Sequence, residues 1–106
     1  MSGTERKPLS DAQIREAIAT LPLWEVVDGK LHRVFQFDDF VDAFGFMTKL
    51  ALVAERLDHH PEWSNTYATV EIFLSTHVVG AISSLDIELA RRADALAEQR
   101  LGVDPS

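Results

Sequence analysis

The chain has no cysteine among its 106 residues, so disulfides, thiolate nucleophiles and sulfur-ligated zinc are excluded. It also lacks any apolar run near the roughly 18 residues that a membrane-spanning helix needs, and no membrane partner is expected. The opening stretch, Met1-Ser2-Gly3-Thr4-Glu5-Arg6-Lys7-Pro8, has neither the apolar segment nor the small-residue cleavage site of a secretory signal. It reads as a short flexible arm, residues 1–8, and a cytoplasmic location is the expectation. Positive charge is scarce. Ten Lys and Arg against seventeen Asp and Glu give a formal charge of -7 and a pI near 4.9. Binding a phosphate backbone depends on neutralising it with Lys and Arg, so no direct nucleic-acid partner is expected.

What is present is the composition of a soluble globular protein, with 46% hydrophobic and 25% charged residues. The length suits a single domain, which we place at residues 9–102, followed by a short tail, 103–106. Ser10-Asp11-Ala12-Gln13 has capping-box spacing. Ile14, Ala17, Ile18 and Leu21 then recur at helical intervals before Pro22. Asp28-Gly29 between two β-prone runs predicts a two-residue hairpin with positive φ at both positions. In its second strand Leu31, Phe35 and Phe37 share a face that Arg33 interrupts, which predicts solvent near that end.

Asp38-Asp39 caps a longer helix, Phe40 to Leu57, whose main apolar stripe is predicted as Phe40, Phe44, Met47, Leu50, Ala51, Ala54 and Leu57. Val41, Gly45, Thr48 and Leu52 add a second flank. Two covered faces mean either a helix buried within its own domain or a subunit interface, and the small size of the chain favours the interface. From Glu62 to Thr76 the pattern is strand-like, with Val70, Ile72 and Leu74 on one side and a weakly signalled turn near Ala68-Thr69. A last helix starts at Ser83 or Ser84. The order α-β-β-α-β-β-α predicts a two-layer α+β domain, a four-stranded antiparallel sheet with helices on one face.

Chemistry concentrates in Asp58-His59-His60-Pro61-Glu62-Trp63 and in His77. Histidine is the side chain whose ordinary pKa, about 6.5, lets it give and take protons near neutrality. A histidine at a helix end can equally be a simple C-cap; two in succession with a third at the next strand end favour a site. His32 has no such company and reads as structural. Adjacent ligands suit a metal poorly, so no metal is expected. Glu55, Asp58 and Glu62 are candidates to orient a histidine, and Trp63 is either a pocket floor for a flat heteroaromatic or core.

The run Glu55-Arg56-Leu57-Asp58-His59-His60-Pro61-Glu62-Trp63, with Tyr67, Val70, Leu74, Ser75-Thr76-His77 and Asp86-Ile87-Glu88-Leu89-Ala90, resembles the pterin-4a-carbinolamine dehydratases. The resemblance extends back through Phe40, residues 43–47 and the Trp24 hairpin. It implies dehydration of a 4a-hydroxytetrahydropterin to the quinonoid dihydropterin in tetrahydrobiopterin recycling, without metal or bound cofactor. It further implies that His59 and His77 are the acid/base pair, that His60 binds and orients the pterin, and that Glu55, Asp58, Trp63 and Asp86 complete the surroundings. Relatives assemble as dimers or tetramers through sheet edges and the central helices, which implies a homodimer or homotetramer through the Phe40–Leu57 helix. Some serve as helix-mediated transcriptional coactivators, and others stand beside molybdopterin metabolism, which are the alternative functions. Departures from the family pattern are Ala81 for a common glycine, Val78-Val79 for more polar residues, and Ser64 for an aromatic.

Overall fold

A computed structural model of the chain describes residues 6–99. Helix α1, Asp11–Ala19, starts at the expected capping box: the Gln13 amide donates to Ser10 Oγ at 3.1 Å, and the Ser10 amide donates to Gln13 Oε1 at 2.8 Å. Strands β1, Glu25–Val27, and β2, Lys30–Gln36, meet through Asp28 and Gly29 at φ 51° and 75°, the positive pair that a type I′ turn needs. Helix α2, Phe40–Leu57, is capped by Asp39, whose carboxylate accepts from the Asp42 amide at 2.8 Å. Strands β3, Glu62–Thr66, and β4, Thr69–Leu74, form the second hairpin. A 3-10 turn, His77–Val79, leads to helix α3, Ser84–Ala97.

The sheet order is β1-β2-β4-β3, with every neighbouring pair antiparallel. This is the predicted α+β architecture, with the helices on one face. The β3-β4 turn falls on Tyr67 and Ala68, one residue earlier than its sequence signal. No glycine marks it. Instead Tyr67 takes φ 54°, and the Asn65 side-chain amide donates to both the Tyr67 and Thr69 carbonyls at 2.9 Å. Among the described residues, no helix is long and apolar enough to cross a membrane.

Leu31, Phe35, Val70, Ile72 and Leu74 face the helices and are buried with Phe46, Leu50, Leu89, Ala90 and Ala93. Two sequence readings need correction. Arg33 does not mark a solvent-facing strand end: its guanidinium lies 3.9 Å from the Phe35 ring centre and donates to Asp94 of α3 at 2.5 Å. The same Asp94 oxygen accepts from Trp24 Nε1 at 2.8 Å, so a charge is tolerated beneath a helix because its partner is supplied there. In α2 the core stripe is Ala43, Phe46, Leu50 and Ala54, whereas Phe40 and Phe44 are exposed. Both flanks of this helix are apolar at 3.6-residue spacing. Small Ala43 and Ala54 let the backbone approach the sheet, and Phe46 reaches Phe35 and Phe37 at ring-centre distances of 4.8 and 5.0 Å.

Replacing Asp94 by alanine leaves the Arg33 cation and the Trp24 N–H without this acceptor. The expected loss of stability is about 1–3 kcal/mol, and Asp94→Asn, which keeps an acceptor oxygen, loses less. Urea denaturation of the two variants measures the difference.

Candidate active site

The C-terminal end of α2 fixes the direction of the histidine pair. Asp58 adopts the left-handed conformation at φ 52°, while its amide donates to the Glu55 carbonyl at 3.2 Å and the His59 amide to the Ala54 carbonyl at 3.0 Å. This is a Schellman ending with aspartate where glycine is usual. Pro61 then commits the chain to extended geometry. The turn separates two residues adjacent in sequence. His59 goes inward and is 7% exposed, whereas the His60 side chain is 58% exposed and meets Glu55 Oε1 through Nε2 at 2.8 Å.

The facing wall comes from the end of β4. The Thr76 amide donates to the Ala81 carbonyl at 2.8 Å, and the Gly80 amide, at φ 60°, donates to the His77 carbonyl at 3.2 Å. The resulting tight loop presents His77 and Val78 outward. Between the two walls lies a cavity of about 290 Å³ lined by Arg6, Asp58, His59, His60, His77, Val78 and the 75–76 segment.

Behind His59 sits a buried polar cluster. Asp86 is 0% exposed, and its Oδ1 accepts from His59 Nε2 at 2.5 Å. Its Oδ2 accepts from Thr76 Oγ1 at 2.9 Å and from the Ser83 amide at 2.8 Å. Ser83 Oγ is 2.5 Å from Thr76 Oγ1 and accepts from the Leu85 amide at 3.3 Å. These bonds order themselves. With the Thr76 hydroxyl donating to Asp86, Ser83 donates to Thr76, and both carboxylate oxygens act as acceptors. With Asp86 ionised, His59 donates to it through Nε2, leaving Nδ1 as the nitrogen that can accept a proton. Among the described residues no side-chain polar atom is buried without a hydrogen-bond partner.

Of the residues singled out from sequence, Asp58, His59, His60 and His77 share the cavity. Glu55 stands outside it, against His60. Asp86 lies behind His59 rather than on the cavity wall. Trp63 pairs with Ile72 across the sheet and packs on the hydrophobic core, away from the cavity lining. Glu62 bonds Lys30 at the sheet surface, and His32 lies between Glu25 and Glu71 on the outer sheet face. Among the described residues, no group of three or more His, Cys, Asp or Glu is placed to hold a metal ion.

Sequence reasoning missed Thr76, Ser83 and Arg6 as parts of the site. Ser83 was within reach, because Ser83-x-x-Asp86 is a capping box that places the carboxylate at the start of a helix. Arg6, 52 positions before Asp58, carries no local signal.

Comparison with known proteins adds the family. Residues 7–96 match the model of the family described as pterin 4 alpha carbinolamine dehydratase. A relative from Prochlorococcus marinus, provisionally named a pterin-4-alpha-carbinolamine dehydratase, is 51% identical over 92 residues, covering 87% of this chain and 96% of its own. One from Bradyrhizobium diazoefficiens with the same provisional name is 52% identical over 86 residues, covering 79% and 86%. A crystal structure from Brucella melitensis, described as a transcriptional coactivator/pterin dehydratase, superposes with a TM-score of 0.83 at 45% identity, covering 86% of this chain and 99% of that one.

The acceptor role of Asp86 is testable without substrate. Imidazole ¹⁵N NMR is expected to show His59 protonated at Nε2. Asp86→Ala, which leaves three donors facing a void, is expected to cost about 3 kcal/mol in urea denaturation.

Proposed function

The chain belongs to the pterin 4 alpha carbinolamine dehydratase family, and from that premise we propose that it removes water from a 4a-hydroxytetrahydropterin, yielding the quinonoid dihydropterin of tetrahydrobiopterin recycling. The observation that carries the reading is the placement of His59 and His77 on opposite walls of one cavity. Dehydration breaks the C4a–O bond and forms a C4a–N5 double bond. The leaving hydroxyl takes a proton and departs as water, while the ring N–H gives one up. Two proton-transfer groups flanking a flat substrate suit that balance, each worth typically about 10² to 10⁴ in rate.

In this reading His59 is the base. Its Nε2 is held by Asp86, which orients the ring and leaves Nδ1 as the nitrogen available to accept a proton. His77, exposed on the facing loop, protonates the departing hydroxyl, and water leaves toward solvent. His60 and Asp58 bind and orient the pterin, and Glu55 meets His60 at 2.8 Å from outside the cavity. Trp63, packed on the hydrophobic core away from the cavity lining, takes no direct part in this scheme.

A second element of the proposal is assembly. Phe40, Val41, Phe44 and Leu52 form an exposed apolar face on α2, with a groove of about 330 Å³ floored by Gly45. A contiguous apolar face of this kind marks an interaction site, and we read it as the surface on which copies of the chain meet, as a dimer or a tetramer. The coactivator description of the Brucella protein supports a helix-mediated binding role as the second reading of the same face.

Purified protein is expected to accelerate dehydration of a 4a-hydroxytetrahydropterin followed in the ultraviolet. His59→Ala and His77→Ala are each expected to lower turnover by at least ~10²; wild-type turnover by His77→Ala excludes the two-wall scheme. Phe44→Glu is expected to lower the mass seen by light scattering while turnover per chain shows none of the ~10² loss expected when an acid/base group is removed.

A further inference from the structure

The cavity has two walls, and one chain segment touches both. The Leu9 amide donates to the Ile82 carbonyl at 2.9 Å, fastening the start of the chain to the segment that follows the His77 loop, and the Leu9 side chain packs against the core. Three residues earlier Arg6 reaches the opposite wall. Its Nη2 donates to the Asp58 main-chain carbonyl at 2.8 Å, and the nearest Asp58 carboxylate oxygen is 3.6 Å away. The Asp58 side chain is 85% exposed, so the ion pair is screened by water and the carbonyl bond is the firmer of the two. Arg6 itself is only 26% exposed and lines the cavity. It lies one residue ahead of the part of the chain that matches the family model, 7–96.

The Asp58 carbonyl is a sensitive place for such a bond. Asp58 is the left-handed residue at the end of α2, and the peptide plane containing that carbonyl leads directly into His59. A guanidinium anchored on it limits rotation of the turn that sends His59 inward and His60 outward. Because Leu9 is also bonded to Ile82, the same contact relates the histidine turn to the wall bearing His77.

We propose that Arg6 is a positioning residue of the cavity, tying the wall that carries His59 and His60 to the wall that carries His77 and so setting the separation of the histidines. The catalytic consequence rests on the dehydratase reading given above. A misplacement of about 1 Å between reacting groups can cost on the order of 10² in rate, whereas an unbonded carbonyl at an exposed turn is simply hydrated. Arg6 therefore acts on geometry more than on stability.

The test compares the full-length chain with Arg6→Ala and Arg6→Lys, by turnover of a 4a-hydroxytetrahydropterin and by the imidazole resonances of His59, His60 and His77 without substrate. Arg6→Ala is expected to lower kcat at least about tenfold, to shift the His59 and His60 resonances, and to leave the melting temperature unchanged. Arg6→Lys, which retains a cationic donor, is expected to recover part of the loss. Wild-type kcat with unshifted resonances in Arg6→Ala overturns the proposal, and so does a loss of activity that merely follows a fall in melting temperature. If the wild-type chain turns over no pterin, the dehydratase reading fails separately; the resonances of Arg6→Ala then decide the matter, shifted in favour of the tie and unshifted against it.

Discussion

A single buried carboxylate organises the histidine-bearing end of this molecule. Asp86 is withdrawn from water, a transfer that costs several kcal/mol for an isolated ion, and the surrounding residues offset it from three directions. His59 approaches from the end of α2, Thr76 from the end of β4, and the Ser83 amide from the first turn of α3. The position of Asp86 in that first turn also places it at the positive end of the helix dipole. Each donor belongs to a different element, so the carboxylate is satisfied only when the α2 turn, the strand end and the helix start have all assembled. The cluster that orients a histidine is therefore also a condition on the fold.

The sheet supplies the rest of the rigidity. Strands β2 and β4 pair in the centre over six register positions, from Leu31 opposite Leu74 to Gln36 opposite Thr69, and their inward residues take the packing of α2 and α3. Leu74 ends this buried run immediately before Ser75, Thr76 and His77, so the facing wall of the cavity grows directly from the best-packed strand. The histidine pair likewise follows the longest helix with only Asp58 between. Both walls thus begin where regular structure stops, with short, hydrogen-bonded turns that leave little slack.

Much of this was legible because the relevant signals are local. The Ser10 capping box, the Asp28-Gly29 hairpin and the Val70, Ile72, Leu74 alternation are set by neighbouring residues, and the structure has them where the pattern put them. The place of the histidine pair just past the end of α2 was legible for the same reason. What escaped was decided between elements. Periodicity could not tell which apolar flank of α2 faces the sheet, since Phe40 and Phe44 are as hydrophobic as Phe46; the small residues Ala43 and Ala54 settle it only once a sheet lies beneath them. Arg33 reads as exposed until Asp94 arrives from another helix. Trp63 held two readings in the sequence, and its pairing with Ile72 turns it toward the core.

The adjacency of His59 and His60 then has a physical consequence that spacing alone conceals. One left-handed residue, Asp58, sends two chemically identical side chains into opposite environments, one against a buried carboxylate at 2.5 Å and one against an exposed carboxylate at 2.8 Å. The inner ring is fixed in tautomer and orientation by a dry acceptor. The outer ring keeps contact with water, and its pairing with the exposed Glu55 is worth little energetically, so it is free to turn and meet a ligand. A repeated residue can thus supply one buried, fixed ring and one solvated ring, provided the backbone between them is constrained. That constraint is why the geometry of Asp58, more than the count of histidines, determines what the cavity can do.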